Sequence, residues 1–374
     1  MRVGLVAAGG FDRSGCDRVI PALLWLVERL ARRHDVHVFV LRHYAEPCTY
    51  QLAGATIHDL GRVTAPRGLS TAVHARRLVR ALRRAGPFDV LHGYWAAPAG
   101  LAAGLAGRWL DIPALVSFDS GELVSLPDCD YGLQRSARER ASVRLTARLA
   151  ERLHVCSAHM LRLARAAGLE AECVPLGVDT QLFQPPARLP VGPPWRLVHV
   201  ASLRPVKDQQ TLLRAMALLL ARRADDIHLD IVGEDTLDGA LQAQCAVLGL
   251  TRHVTFHGFQ RISRLPAFYD RAHLHVLTSR HEAAGVVVLE AAACGVPTVG
   301  SCTGYVADWA PDAACAVPPG DPGELADAID SLLDDPARRA ALAAEAERRA
   351  RAMSADRTAM GIEGLYAGVL QHRR

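Results

Sequence analysis

Asparagine is absent from this 374-residue chain, and lysine occurs once, at Lys207. Without Asn there is no N-glycosylation sequon. Since every basic residue but one is Arg, the position that keeps Lys becomes a candidate for chemistry. Aromatic residues make up only 5% of the chain, and the formal net charge is a modest +4. The strong basic excess of a nucleic-acid binder is missing. The nine cysteines are odd in number, scattered and never in a CxxC pair. That argues against a disulfide framework or a zinc site and for buried thiols in a reducing cytoplasm. Long apolar runs are missing too. Val3–Ala8 meets Gly9-Gly10 too soon for a signal-peptide core. The longest stretch without Asp, Glu, Lys or Arg lies between Asp89 and Arg108, and His92, Pro98 and several glycines interrupt it. What remains is half apolar and 22% charged, a globular composition, and the length favours two domains.

Both halves begin alike. Val3–Val6 is a short apolar run followed by glycines, then by Val19, Ile20, Leu23, Leu24, Val27 and Leu30 at helical spacing, then by the β-rich run Val36–Leu41. Further strands are expected at Val90-Leu91, Ala114–Phe118 and Leu153–Cys156, with helices near 70–85, 98–109 and 136–151. The pattern restarts at Arg196–Val200. Helices near 208–223 and 238–248 then alternate with strands at Ile227–Val232, Val254–Phe256, His273–Leu277 and Thr298-Val299. Such alternation predicts α/β domains with parallel, doubly wound sheets. Five prolines between Gln184 and Pro194 cannot continue a sheet, so this segment is expected to be the linker. Ligands of open α/β sheets bind at the carboxyl edges of the strands, so a cleft between two such edges is the expected site.

Two strand–loop–helix segments carry the chemistry. In Ser279-Arg280-His281-Glu282-Ala283-Ala284-Gly285-Val286 the glycine opens a helix that Gly295 and Pro297 end. Free N–H groups at a helix start suit a phosphate. Glu282 and Glu290 would repel that phosphate unless they face sugar hydroxyls, whose vicinal diols a carboxylate accepts well. In Ser202-Leu203-Arg204-Pro205-Val206-Lys207, Arg204 and Lys207 are placed to neutralise a diphosphate and stabilise a leaving group.

Glu282 to Glu290 forms an E-x7-E motif, and on it the chain resembles the retaining glycosyltransferases of family 4, which have the GT-B fold. The segments Ser202–Lys207, Val174–Asp179 with Phe183, Val232-Gly233-Glu234 and Val317–Asp321 are similar to family segments as well. The resemblance implies two Rossmann-like domains with an interdomain cleft: residues 1–184 on the acceptor side, a linker at 185–195, a nucleotide-sugar domain at 196–355, and a helix at 356–374 returning to the first domain. It implies that Glu282 contacts the donor sugar and that Gly285 and Val286 offer N–H groups to the diphosphate. Glu290 would hold the ribose, and Lys207, with Arg204 and Ser202, the phosphates. Gly9 and Gly10 would close over the donor. The implied reaction moves a hexosyl group from a nucleotide diphosphate sugar to a carbohydrate, lipid-linked or small-molecule hydroxyl, with retention and with no metal or cofactor.

The chain departs from the family at three positions. Ser202 stands where Arg is common, Ala284 where Phe is common, and Asp119 where a His near the reacting centre is usual. An ionised Asp cannot donate a hydrogen bond. Two other functions share the fold: a nucleotide-sugar epimerase and a non-catalytic binding subunit. Residues 1–185 carry a formal +6, and Arg140, Arg144, Arg148 and Arg152 share one helix face. Peripheral contact with an anionic membrane is one reading of that face, and a solvated surface is the other. The expected location is cytoplasmic.

Overall fold

The computed structural model describes residues 1–63, 70–188, 190–223 and 226–371. Leu189 of the expected linker and residues 372–374 of the expected closing helix lie outside the described residues. The chain divides into two units, Met1–Leu176 with Ala355–Arg374, and Gly177–Ser354.

The first unit runs β1 (Arg2–Ala7), α1 (Pro21–Ala31), β2 (Asp35–Val40), β3 (Cys48–Leu52), β4 (Ala55–Asp59), α2 (Ser70–Ala85), β5 (Val90–Tyr94), α3 (Leu101–Leu110), β6 (Ala114–Phe118), α4 (Ala137–Leu149), β7 (Arg152–Val155), α5 (Ala158–Ala166) and β8 (Glu172–Cys173). Its eight strands lie in the order β3-β4-β2-β1-β5-β6-β7-β8. All pairs are parallel except β3 with β4. The two central strands are near-continuous apolar runs because helices cover both faces of the sheet. The strands β3 and β4 escape a reading of the sequence. Thr49, Gln51, Thr56 and His58 break the apolar runs there, and an edge hairpin with one wet face shows only weak alternation.

The second unit runs β9 (Trp195–Val200), α6 (Gln209–Arg222), β10 (Ile227–Val232), α7 (Ala240–Val247), β11 (Val254–Phe256), α8 (Pro266–Tyr269), β12 (Leu274–Leu277), α9 (Val286–Ala293), β13 (Thr298–Ser301), α10 (Gly304–Trp309), β14 (Ala314–Val317), α11 (Pro322–Asp334) and α12 (Pro336–Ala352). The order β11-β10-β9-β12-β13-β14 is wholly parallel. The direction of winding reverses between β9 and β12, which opens a crevice beyond their carboxyl ends.

The last helix, α13 (Ala355–Gln371), belongs to the first unit. Its Ala359, Ile362, Leu365, Tyr366 and Val369 are buried in one cluster with Val3, Leu5, Leu26 and Val38.

The proline-rich segment is not the boundary. The units divide between Leu176 and Gly177, and 185–195 lies within the second unit. The reason is local packing. The Val178 N–H donates to the Met353 carbonyl at 3.1 Å. A Cβ on Gly177 would sit 2.3 Å from the Ser354 backbone. Phe183 is buried edge-on to Tyr269. Residues 177–183 are therefore committed to the second unit before the prolines begin. Among the described residues no helix is long and apolar enough to cross a membrane.

Candidate active site

The loops after β9 and β12 flank the crevice of the second unit, and they are the two segments singled out by sequence. A short 3₁₀ turn, Pro205–Lys207, ends the first loop, and Arg204 precedes it as an exposed residue. Asp208 then caps α6, its carboxylate accepting from the Thr211 N–H. The second loop is tied to the first. The Arg280 N–H donates to the Val206 carbonyl at 2.8 Å, and the Thr278 hydroxyl to the Lys207 carbonyl at 2.9 Å.

These ties bring the only lysine against Glu282. Lys207 Nζ lies 2.5 Å from Glu282 Oε1, and the Ser279 hydroxyl donates to the same oxygen at 2.5 Å. Burial pushes the Glu282 carboxyl up, but Lys207, Ser279 and His281 outweigh it, and the group ends below the ordinary glutamate range. Glu282 is thus an ionised carboxylate held by a cation. The sequence leads one to expect it to face sugar hydroxyls; without a ligand its partner is Lys207.

Gly285 follows at φ +78°, a left-handed conformation that favours glycine, and it aims the first N–H groups of α9 out of the helix. Val286 is the first residue of that helix. One turn further along, Glu290 is buried at 4% exposure and accepts from the Tyr269 hydroxyl at 2.9 Å. Burial raises its pKa to about 7, with Tyr269 opposing.

A further glycine sets the Glu282 loop. Gly304 has φ +51°, and a Cβ there would lie 2.4 Å from the Ala284 carbonyl oxygen and 2.9 Å from Glu282 Cβ. The next residue, Tyr305, donates its N–H to that same carbonyl at 2.7 Å. Gly304→Ala is therefore expected to displace Glu282. Misplacing a contact by about 1 Å costs up to roughly 10²-fold in rate. Transfer kinetics beside a far-UV dichroism spectrum check it: an active variant would remove the supporting role.

Ser202 is half-buried, and its carbonyl accepts from Gln209 Nε2 at 3.1 Å. Gln209 also lies 3.2 Å from His199 Nε2, while His199 Nδ1 lies 2.9 Å from the Val276 carbonyl. Burial lowers His199 to about 4, so the ring is neutral, with its proton on Nδ1 and Nε2 accepting. This link between β9, α6 and β12 holds the Ser202–Lys207 loop. Sequence reasoning misses it, because a His and a Gln ten residues apart carry no motif.

Gly9, Gly10 and Asp119 lie in the first unit. Gly10, at φ +88°, turns the chain after β1. Asp12, which no motif marks, pins that turn. Its carboxylate receives the Ser14 N–H at 3.0 Å, Arg18 at 2.6 Å, the Tyr44 hydroxyl at 3.0 Å and His43 Nε2 at 3.1 Å. In sequence, Asp119 stands where the family usually has His, and it cannot donate a hydrogen bond while ionised. Burial, with Glu122 beside it, pushes its pKa well above the ordinary aspartate range, a shift that favours the neutral form. His92 does not line an open surface. It is fully buried in a chain of bonds: Tyr366 hydroxyl to His92 Nδ1 at 2.8 Å, His92 Nε2 to Ser117 Oγ at 2.7 Å, Ser117 Oγ to His154 Nδ1 at 2.7 Å, and His154 Nε2 to the Val174 carbonyl at 2.9 Å.

Residues 19–178 match the family model for the glycosyl transferase 4-like domain, and residues 183–349 the model for glycosyl transferases group 1. The chain is 30% identical to a D-inositol 3-phosphate glycosyltransferase of Salinispora tropica, over 78% of this chain and 67% of that protein. In fold it is similar to sucrose-phosphate synthase from Thermosynechococcus elongatus, with a TM-score of 0.82 at 21% identity over 99% of each chain. It is also similar to Anabaena HepE in complex with UDP-glucose, with a TM-score of 0.74 at 18% identity over 98% of this chain and all of that one. These matches and the two wound sheets agree with the E-x7-E segment: the chain belongs to glycosyltransferase family 4, with the GT-B fold.

Proposed function

We propose that the chain transfers a glycosyl group from a nucleotide diphosphate sugar to a hydroxyl acceptor, with retention at the anomeric carbon and without a metal. The observation that carries this reading is the Lys207–Glu282 pair at the crevice of the second unit, in front of the α9 N-terminus. It sets a cation and polarised N–H groups beside a carboxylate. A sugar diphosphate needs that combination: positive charge for the leaving group and an acceptor for sugar hydroxyls.

In the proposed step the bond from the anomeric carbon to the diphosphate oxygen breaks. The acceptor oxygen bonds to that carbon on the same face, and its proton passes to the departing diphosphate. Lys207, Arg204 and the N–H groups of Gly285 and Val286 stabilise the negative charge that develops. Glu282 exchanges Lys207 for sugar hydroxyls while Ser279 keeps its bond. Glu290 holds the ribose. The Salinispora relative is named for D-inositol 3-phosphate, and that likeness favours a polyol hydroxyl as acceptor.

A thermal-shift and transfer panel of UDP-, GDP- and ADP-sugars, with and without EDTA, tests the reading. One nucleotide family is expected to raise the melting temperature and support transfer, unchanged by the chelator, with an α-linked product from an α-linked donor. Loss of transfer in EDTA would overturn metal independence, and an inverted product would overturn retention.

A further inference from the structure

The two carboxylates of the E-x7-E segment are held in different ways. Glu282 has a cation against it, Lys207. Glu290 has none. It is 4% exposed, and its one side-chain partner among the described residues is the Tyr269 hydroxyl, which donates to Oε2 at 2.9 Å. Oε1 keeps no protein partner. The elements packed on α9 supply no positive charge. β12 carries His275, which burial lowers to about 3 and keeps neutral. α10 carries Tyr305 and Asp308, β13 has no titratable residue, and α12 buries none. Cys294, which caps α9 with Asp270 nearby, is a thiol kept neutral by burial.

The Tyr269 hydroxyl has little freedom. The ring is fully buried and meets two others edge to face. Phe183 lies 6.0 Å away between centroids at 67°, and His275 lies 6.0 Å away at 72°. Burial beside Glu290 holds the phenol well above the ordinary tyrosine range, so it keeps its proton and donates. Its helix, α8, has four residues, too few to stand without tertiary support. That support comes from Asp230 on β10, a carboxylate 3% exposed. Asp230 Oδ1 pairs with Arg271 Nη2 at 3.1 Å and lies 2.6 Å from His257 Nε2. Both partners pack on Phe268 of α8, with Arg271 Cζ 4.6 Å and the His257 ring 4.8 Å from its centroid.

We propose that Tyr269 is a positioning residue for donor binding: clamped on α8, it fixes Glu290 by Oε2 and presents Oε1 to the ribose diol of the nucleotide. The ribose rests on the transferase reading above; the hold of the phenol on the carboxylate does not. A carboxylate already fixed in one rotamer loses little freedom when the diol arrives. The contact also helps Glu290 to ionise. The phenol opposes the burial that raises the carboxyl, and the ionised form is the one that accepts from both hydroxyls of a diol.

The test compares the full chain with Tyr269→Phe, which keeps the packed ring, and with Glu290→Gln. Calorimetric titrations with UDP, GDP and ADP are run from about pH 6 to about pH 9. The diphosphate that binds the wild type should bind Tyr269→Phe about ten-fold more weakly at pH 8, the loss of one hydrogen bond to a charged group. Wild-type affinity should rise with pH through a midpoint near 7. In Tyr269→Phe that rise should move to higher pH, because burial then acts on Glu290 unopposed. Glu290→Gln supplies the baseline, since it retains the titration of the diphosphate itself. A second arm needs no nucleotide: carbon-13 resonances of the glutamate carboxyls, with Glu290 assigned by its loss in Glu290→Gln, should titrate at higher pH in Tyr269→Phe. Equal affinity in wild type and Tyr269→Phe, or a weakening that is the same at every pH, would overturn the positioning role. An unmoved carboxyl titration would overturn the hold on Glu290. If the titration moves but no diphosphate binds the wild type, the donor reading and the ribose with it fall, and the hold on the carboxylate stands.

Discussion

Lys207→Ala should lower the rate of transfer by about 10²–10³ while the fold is retained, the usual loss when one charge-stabilising contact to a leaving group is removed. The side chain stands 2.5 Å from Glu282 and is the only lysine in the chain. Lys207→Arg should recover only part of the rate, because a planar guanidinium cannot replace a compact ammonium against both Glu282 and a phosphate. The variant also has a stability signature. In the native chain Lys207 helps hold the Glu282 carboxyl below its ordinary value. That pairing contributes stability above the ordinary glutamate range, and the contribution is lost as pH falls through the lowered value. Without Lys207 burial acts unopposed by the largest partner, the carboxyl rises, and stability then falls as pH climbs above the unfolded-state value. The melting-temperature deficit of Lys207→Ala should accordingly be larger at pH 8 than at pH 5. Near-normal turnover would remove Lys207 from the reaction, and a deficit independent of pH would remove its hold on Glu282.

Glu290→Gln should stabilise the chain at pH 8 and leave it unchanged at pH 4. Burial lifts Glu290 to about 7, from an ordinary value of 4.5. Between those values the folded chain keeps a proton that the unfolded chain releases. Wild-type stability therefore falls as pH rises through that window and levels off above it. Glutamine mimics the protonated acid and can still accept from the Tyr269 hydroxyl. The gap between the two melting curves should open across the window to a ceiling of about 3 kcal/mol, since each pH unit of the window is worth roughly 1.4 kcal/mol. At pH 8, where the wild-type carboxyl is ionised, nucleotide affinity should fall about ten-fold in the variant, since a ribose diol loses a charged acceptor. Parallel melting curves would refute the protonated carboxyl, and unchanged nucleotide affinity would take Glu290 away from the ribose.

The alternation of apolar runs and helical periods announces the two wound sheets, because buried parallel strands must be apolar on both faces. The single Lys, the paired Glu282 and Glu290 and the positive-φ Gly285 are readable for a similar reason: each departs from what its local element prefers. What escapes is long-range. Gly304 constrains Glu282 through a carbonyl 20 residues before it, His199 through Gln209 braces the Ser202–Lys207 loop, and Asp12 gathers partners from positions 14 to 44. None of these leaves a periodic trace. The raised pKa of Asp119 is not legible in the sequence, because a one-letter code carries the ordinary acidity of a carboxyl and not its burial. The proline-rich segment misleads on the boundary, since proline reports that a sheet cannot continue, not which unit a strand-free stretch packs against.

The first unit is assembled from two separated pieces of chain, and this sets an order of birth. During synthesis, residues 177–354 emerge whole before α13 does. The second unit is one unbroken segment and can complete its core at once. The first has to wait, with the places of Ile362, Tyr366 and Val369 unfilled beside Leu5 and Leu26 and with His92 Nδ1 lacking its hydroxyl donor. The usual amino-to-carboxyl sequence of domain folding is thereby reversed at its final step. The seventeen residues of that helix are the closing stone of the part of the protein that was made first.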